Sequence, residues 1–109
     1  MEHWELAHDE QRDGFHVKLY VTPEYMEPDW DFDSEEDRQD VLRKIDNGTL
    51  AYFVARVTAS KHGVELGSSV LGGCCYDSVQ EFVKSGDYYD DMVNESISEA
   101  KDTILKLAS

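Results

Sequence analysis

The chain has 109 residues with 24 acids against 10 bases, a formal charge of −14. That length holds one domain with one core of modest size, and that charge repels nucleic acid and anionic membranes, which disfavours direct contact with either. Two Trp, six Tyr and four Phe within a 40% hydrophobic composition argue for a folded globule rather than a solvating tail.

In chain order, Phe15, Val17, Leu19 and Val21 alternate with His16, Lys18, Tyr20 and Thr22, the period-two pattern of a strand with one buried face, and Pro23 ends it. Nine carboxylates then fall between Glu24 and Asp40. Pro28 keeps the first part of this tract out of a helix, and Ser34-Glu35-Glu36-Asp37 supplies a cap followed by first-turn acids. The helix predicted from there points Val41, Leu42 and Ile45 inward and stops at Asn47-Gly48. Residues 52–60 and 64–76 read as a hairpin about Lys61-His62-Gly63, with Gly67, Gly72 and Gly73 marking a bulge or a close backbone approach. A short helix follows Asp77-Ser78, with Val79, Phe82 and Val83 on one side and Ser85-Gly86 as its end. From Asp87 a longer helix carries Tyr89, Val93, Ile97, Ala100, Ile104 and Leu107 as a continuous apolar stripe. The expected fold is a single α+β domain over 1–109: a three-stranded, mostly antiparallel sheet with its helices on one face.

No stretch approaches the ~20 apolar residues of a membrane span, and acids stand near the amino terminus where a secretory signal would carry bases. A cytoplasmic protein is expected. Cys74 and Cys75 are adjacent and cannot staple distant parts of the chain, so they read as reduced thiols on a strand. His3, His8, His16 and His62 lack the spacing of a metal pair. Ser68, Ser69 and Cys75 lack any nucleophile motif, and no phosphate-cradling glycine loop is present, so neither catalysis nor a cofactor is expected.

The window Asp29 to Asp40 places acids at positions 1, 3, 5 and 12 of twelve, as in a calcium loop. Position 6 is Ser34 in place of Gly, position 8 is Glu36 in place of an apolar residue, and position 12 is Asp40 in place of Glu. The window predicts weak cation binding and no specific calcium site. A second reading treats the acids as a surrogate for nucleic-acid phosphate. Six carboxylates between Asp87 and Asp102 give one charge per ~4 Å of helix, close to the 3.4 Å or so between phosphates along one DNA strand. The acids are also segregated, since residues 49–76 hold one acid, Glu65. Large side chains interleave the first acidic tract and offer contacts that a purely solvating tract lacks. The candidate partner surface is therefore Glu24, Tyr25, Glu27, Asp29, Trp30, Asp31, Asp33, Glu35, Glu36 and Asp37, with Asp87, Asp90, Asp91 and Glu95 on the long helix. Its predicted partner is the basic groove of a nucleic-acid-binding protein or complex. The competing expectation is an acidic structural or housekeeping interaction domain whose charge serves solubility.

At residues 57–78, VTASKHGVELGSSVLGGCCYDS, the chain resembles small open reading frames carried by phages and other mobile elements. In size and charge it is similar to phage inhibitors of bacterial defence, of the anti-restriction and anti-CRISPR kind. The resemblance implies a nucleic-acid mimic acting in the host cytoplasm. It transfers no individual functional residue.

Overall fold

Two left-handed turns set the sheet. Asp13 and Gly14 have φ of 54° and 82°, and His62 and Gly63 have 54° and 78°. Positive φ at both central residues is the two-residue turn whose twist matches that of paired strands, and Asp-Gly and His-Gly supply a glycine at the second position. The computed structural model describes residues 3–24 and 34–108. The Asp13-Gly14 turn joins β1 (Glu5–Arg12) to β2 (Phe15–Pro23), and the His62-Gly63 turn joins β3 (Ala51–Lys61) to β4 (Val64–Tyr76). All pairings are antiparallel and the order is β1-β2-β3-β4. Helix α1 (Glu35–Asp46) lies between β2 and β3, while α2 (Val79–Ser85) and α3 (Asp87–Ala108) follow β4.

The sheet thus has four strands, where the sequence pattern predicted three. The unforeseen strand is β1, an edge strand of sequence ELAHDEQR. Its residues opposite the core positions Leu19, Val17 and Phe15 are His8, Glu10 and Arg12, so it shows no apolar alternation. These polar side chains are used rather than wasted. Glu10 accepts from the Tyr89 hydroxyl at 3.2 Å and pairs with Arg12 at 2.7 Å, and the His8 ring meets Tyr89 edge-on at 5.8 Å.

The core fills the face covered by α2 and α3. Phe15, Val17 and Leu19 of β2 and Phe53, Ala55, Val57 and Ala59 of β3 pack against Phe82, Tyr89, Met92, Val93, Ile97 and Ala100. At one end the rings of Phe53, Tyr76 and Tyr89 surround Phe82 at centroid distances of 5.2–6.2 Å, in edge-to-face arrangements that suit ring quadrupoles. At the other end small residues let α3 approach the sheet. A Cβ at Gly67 would stand 2.0 Å from the Ser96 carbonyl oxygen and 2.7 Å from the Ala100 nitrogen. Ser96 is fully buried, and its hydroxyl proton is shared between the carbonyls of Met92 at 2.8 Å and Val57 at 3.1 Å, so its burial leaves no polar atom unmet. Opposite Gly72 and Gly73 the β3-β4 register shifts between Phe53 and Ala55, the bulge that the glycines foretold.

Two inward assignments are corrected. Leu107 is 76% exposed, because the buried stripe of α3 stops at Ala100 with Ile104 half-covered. Helix α1 begins at the Ser34 cap and closes at Asn47 as its signals require, yet it buries no residue. Val41, Leu42 and Ile45 are only partly covered.

Candidate functional site

The outer face of α3 carries Asp87, Asp90, Asp91, Glu95, Glu99 and Asp102, all exposed. Their placement follows from the helix period: with Tyr89, Val93, Ile97 and Ala100 turned to the sheet, the acids between them turn to solvent. From Asp87 to Asp102 the row is about 22 Å long. Among the described residues only Asp90 has a base within salt-bridge distance, Arg12 at 3.4 Å. The other five carboxylates repel one another along one helix face.

A second group of acids belongs to α1. Glu35, Glu36 and Asp37 occupy its first turn, where carboxylates favour the positive end of the helix dipole, and the Ser34 hydroxyl accepts from the Asp37 N–H at 3.2 Å. All three side chains are exposed. Asp40 behaves differently. Lys44 at 3.1 Å, together with Arg43, holds its carboxyl below the usual aspartate range through hydrogen bonding.

One residue of each helix borders a groove at the end of the sheet away from the turns. Val41 of α1, Leu50, the β4 residues Leu71 and Tyr76, and Tyr88 of α3 line an apolar groove of about 540 Å³. Tyr88 is 57% exposed and sits beside Asp87 and Asp91 in sequence and turn. The groove floor includes Cys74 and Cys75. Burial pushes the Cys74 thiol up to about 11 and raises that of Cys75 as well, so both stay protonated and unreactive at neutral pH. The expectation of quiet thiols fits this environment.

Of the acidic tract predicted from sequence, Tyr25, Glu27, Asp29, Trp30, Asp31 and Asp33 lie outside the described residues, as do the first five positions, 29–33, of the calcium-like window. Glu24 is described and engaged: its carboxylate accepts from the Gly73 N–H at 3.1 Å, across the bulge of β4. Glu35, Glu36 and Asp37 on α1 and Asp87, Asp90, Asp91 and Glu95 on α3 are all at the surface, on the two helices that border the groove. What sequence reasoning missed is the groove itself and Tyr76 within it. The only available signal was the clustering of Tyr76, Tyr88 and Tyr89 near Gly72-Gly73, which does not by itself say which rings point out. Among the described residues no group of three or more His, Cys, Asp or Glu side chains is placed to hold a metal ion. No described helix is long and apolar enough to cross a membrane.

Comparison with family models, curated proteins and solved structures finds no match to this chain.

Proposed function

We propose that the protein is an acidic binding protein that occupies the basic groove of a nucleic-acid-handling complex and, following its resemblance to phage inhibitors, blocks a host-defence system. The observation that carries this reading is the α3 row, six exposed carboxylates of which one is paired among the described residues. Self-repulsion along a helix face costs stability, so an unneutralised row is better explained by a partner than by the fold. The spacing supports a surface that competes with phosphates for Lys and Arg. The apolar groove beside Tyr88 supplies what charge alone lacks, a site where an aliphatic or guanidinium stem can be desolvated and held. Long-range attraction would set the rate of encounter, and the groove the lifetime of the complex.

The test is retention of bacterial proteins on the immobilised chain, compared with the variant Asp91→Asn/Glu95→Gln/Glu99→Gln. Those three acids have no base partner among the described residues, so the variant should melt at the same temperature or slightly higher. The expected result is a nucleic-acid-binding partner retained at low salt, shed as salt rises, and lost in the variant. A partner whose retention ignores both salt and the three substitutions overturns the acidic row as the functional surface. A chain that retains nothing, yet folds only in high salt, is the acidic housekeeping domain instead.

A further inference from the structure

The two edges of the sheet are built differently. The β1 edge, ELAHDEQR, carries Glu5, Asp9, Glu10 and Arg12 and a register shift between Leu6 and His8, devices that keep foreign strands from pairing with an open edge. The β4 edge carries no charge over residues 66–76, LGSSVLGGCCY, in a chain of which 31% is charged. Between its two irregularities, residues 67–71 pair regularly with residues 55–59 of β3. Every second residue of that stretch turns its N–H and C=O away from β3, and no strand lies beyond them among the described residues. On either side the backbone is engaged: the Leu66 carbonyl accepts from the Thr103 hydroxyl at 3.1 Å, and the Gly73 N–H donates to Glu24 at 3.1 Å.

Helix α3 lies against this strand, and its rotation decides what overlooks the edge. Asp90 reaches Arg12 of β1, so that flank of the helix faces β1. Thr103 reaches β4 from the other flank, and at 3.6 residues per turn Tyr88, Glu95 and Glu99 fall on the same flank as Thr103. Tyr88 borders the groove along residues 71–76, which leaves Glu95 and Glu99 above the uncharged stretch between the groove and Thr103. Both are exposed, and neither has a base within salt-bridge distance among the described residues.

We propose that β4 is a docking edge for an extended basic segment of the partner, which joins the sheet as a fifth strand. The inference rests on the acidic-row reading and says how that row is used. A strand added beside β4 turns alternate side chains to the helical side at intervals of about 6.8 Å. Carboxylates four residues apart on a helix are spaced by about 6 Å. Lysines or arginines at alternate positions therefore meet Glu95 and Glu99, while main-chain bonds to residues 67–71 set the register. The same strand continues into the groove, where Val41 and Tyr88 offer an apolar site to one of its side chains. A second copy of this chain is a poor occupant, because pairing β4 with β4 brings Glu95 and Glu99 of both molecules to one seam and sets two charges of −14 side by side.

The experiment is titration of the full chain at low salt with a short alternating Lys-Val peptide, read by calorimetry and by amide hydrogen exchange. Outward amides among residues 67–71 should exchange at least tenfold more slowly in the saturated complex, and Glu95→Gln/Glu99→Gln should weaken binding at least fivefold without lowering the melting temperature. Two further peptides carry backbone N-methyl groups, one at every Lys and the other at every Val. Strand pairing uses one edge of the peptide, so one of the two should bind at least tenfold more weakly than the other. A Lys-Val peptide that does not bind overturns the proposal. Equal affinity for the two methylated peptides, or unchanged exchange at residues 67–71, overturns strand pairing; if binding still needs Glu95 and Glu99, the acidic row stands without it. Affinity unchanged in Glu95→Gln/Glu99→Gln, or matched by a Ser-Val peptide, overturns the basic occupant. A chain already dimeric, with these amides slow before any peptide is added, overturns it in favour of a second copy.

Discussion

Helices α1 and α3 are both acidic and amphipathic, and only one of them belongs to the core. Helix α3 buries Tyr89, Met92, Val93, Ser96, Ile97 and Ala100; α1 buries nothing. The difference is topological. Helix α1 links β2 and β3, which are adjacent and antiparallel, so the chain leaves and re-enters the sheet at one end. The covered face is meanwhile filled by α2 and α3. An apolar stripe is therefore necessary for a core helix and insufficient, because the sheet must also have a vacant face within reach. Among the described residues the polar contacts of α1 include the Ser34 cap and the local pairs Arg38–Glu35, Arg43–Asp40 and Lys44–Asp40. Such surface pairs lie in water and are screened by salt, so they contribute little. By contrast, full burial of a side chain such as Ile97 or Val93 contributes about 1.5–3 kcal/mol.

The largest expected effect tests this contrast directly. Ile97→Asp places an unpaired carboxylate in the core and should abolish the cooperative melt in dilute buffer, since burying a charge without a partner exceeds the stability of a domain this size. Leu42→Asp, the matching change on the apolar side of α1, should shift the melting temperature by only a few degrees. Circular dichroism melts of the two decide the matter, and equal damage from both would mean that α1 is part of the cooperative unit. The second pair concerns glycines. At Gly67 the added Cβ would meet the backbone of α3, which no side-chain rotation can relieve, so Gly67→Ala should cost about 3 kcal/mol, the upper range for overpacking. Gly48, past the end of α1, has φ of 80° and nothing within 4 Å of a built Cβ. Its change to Ala should cost about 1 kcal/mol, through the left-handed backbone alone.

What was legible in the sequence follows the same division. Local signals were sufficient for local structure: the Ser34 cap, the short helix after Asp77-Ser78, the His62-Gly63 turn and the Gly72-Gly73 bulge stand where their chemistry required. The outward face of α3 was also legible, because a stripe of Tyr89, Val93, Ile97 and Ala100 fixes the opposite side of a helix. Strand β1 was not, since its inward positions bond to Tyr89 instead of packing as apolar residues, although Asp13-Gly14 was a hairpin signal in plain view. The groove lined by Val41, Leu71, Tyr76 and Tyr88 was not legible either, because only the folded chain brings residues so far apart in sequence to one surface.

Acid and base should attack the two sides of the molecule in opposite directions. Burial raises the Cys74 thiol to about 11, and burial, aided by the Glu10 carboxylate, raises the Tyr89 hydroxyl above its ordinary value of 10.0. Both groups are held neutral by the fold and ionise more readily when it opens. Their contribution is complete below pH 9, where the unfolded thiol begins to titrate, and is lost as pH rises through 11 for Cys74 and higher for Tyr89. Melting temperature should accordingly fall between pH 9 and 11, and less steeply in Cys74→Ala once each curve is referenced to its own value at pH 8. Asp40 has the other sign. Its carboxyl is lowered, so the contribution it makes to α1 is present above about pH 4 and lost as pH falls. Because Asp40 is exposed, the acid effect should appear as fraying of α1 in amide shifts and not in the global melt.

The smallest expected effect is at Ser34. Its hydroxyl satisfies one of the amide groups that a helix start leaves without a partner, and Ser34→Ala should cost about 1 kcal/mol of helix stability. Where that cost registers depends on whether α1 is coupled to the core. If α1 opens independently, the loss stays local: amides from Asp37 to Val41 exchange about fivefold faster, while the amides of Val93 and Ile97 and the melting temperature do not move. Ser78→Ala provides the counterpart, because the same cap geometry, Glu81 N–H to Ser78 hydroxyl at 3.2 Å, opens a helix that buries Phe82 among the core aromatics. A similar local cost there should reach the global melt. Equal propagation from both caps would tie α1 to the core despite its lack of buried residues, and would place the floor of the groove under Tyr88 within the cooperative fold.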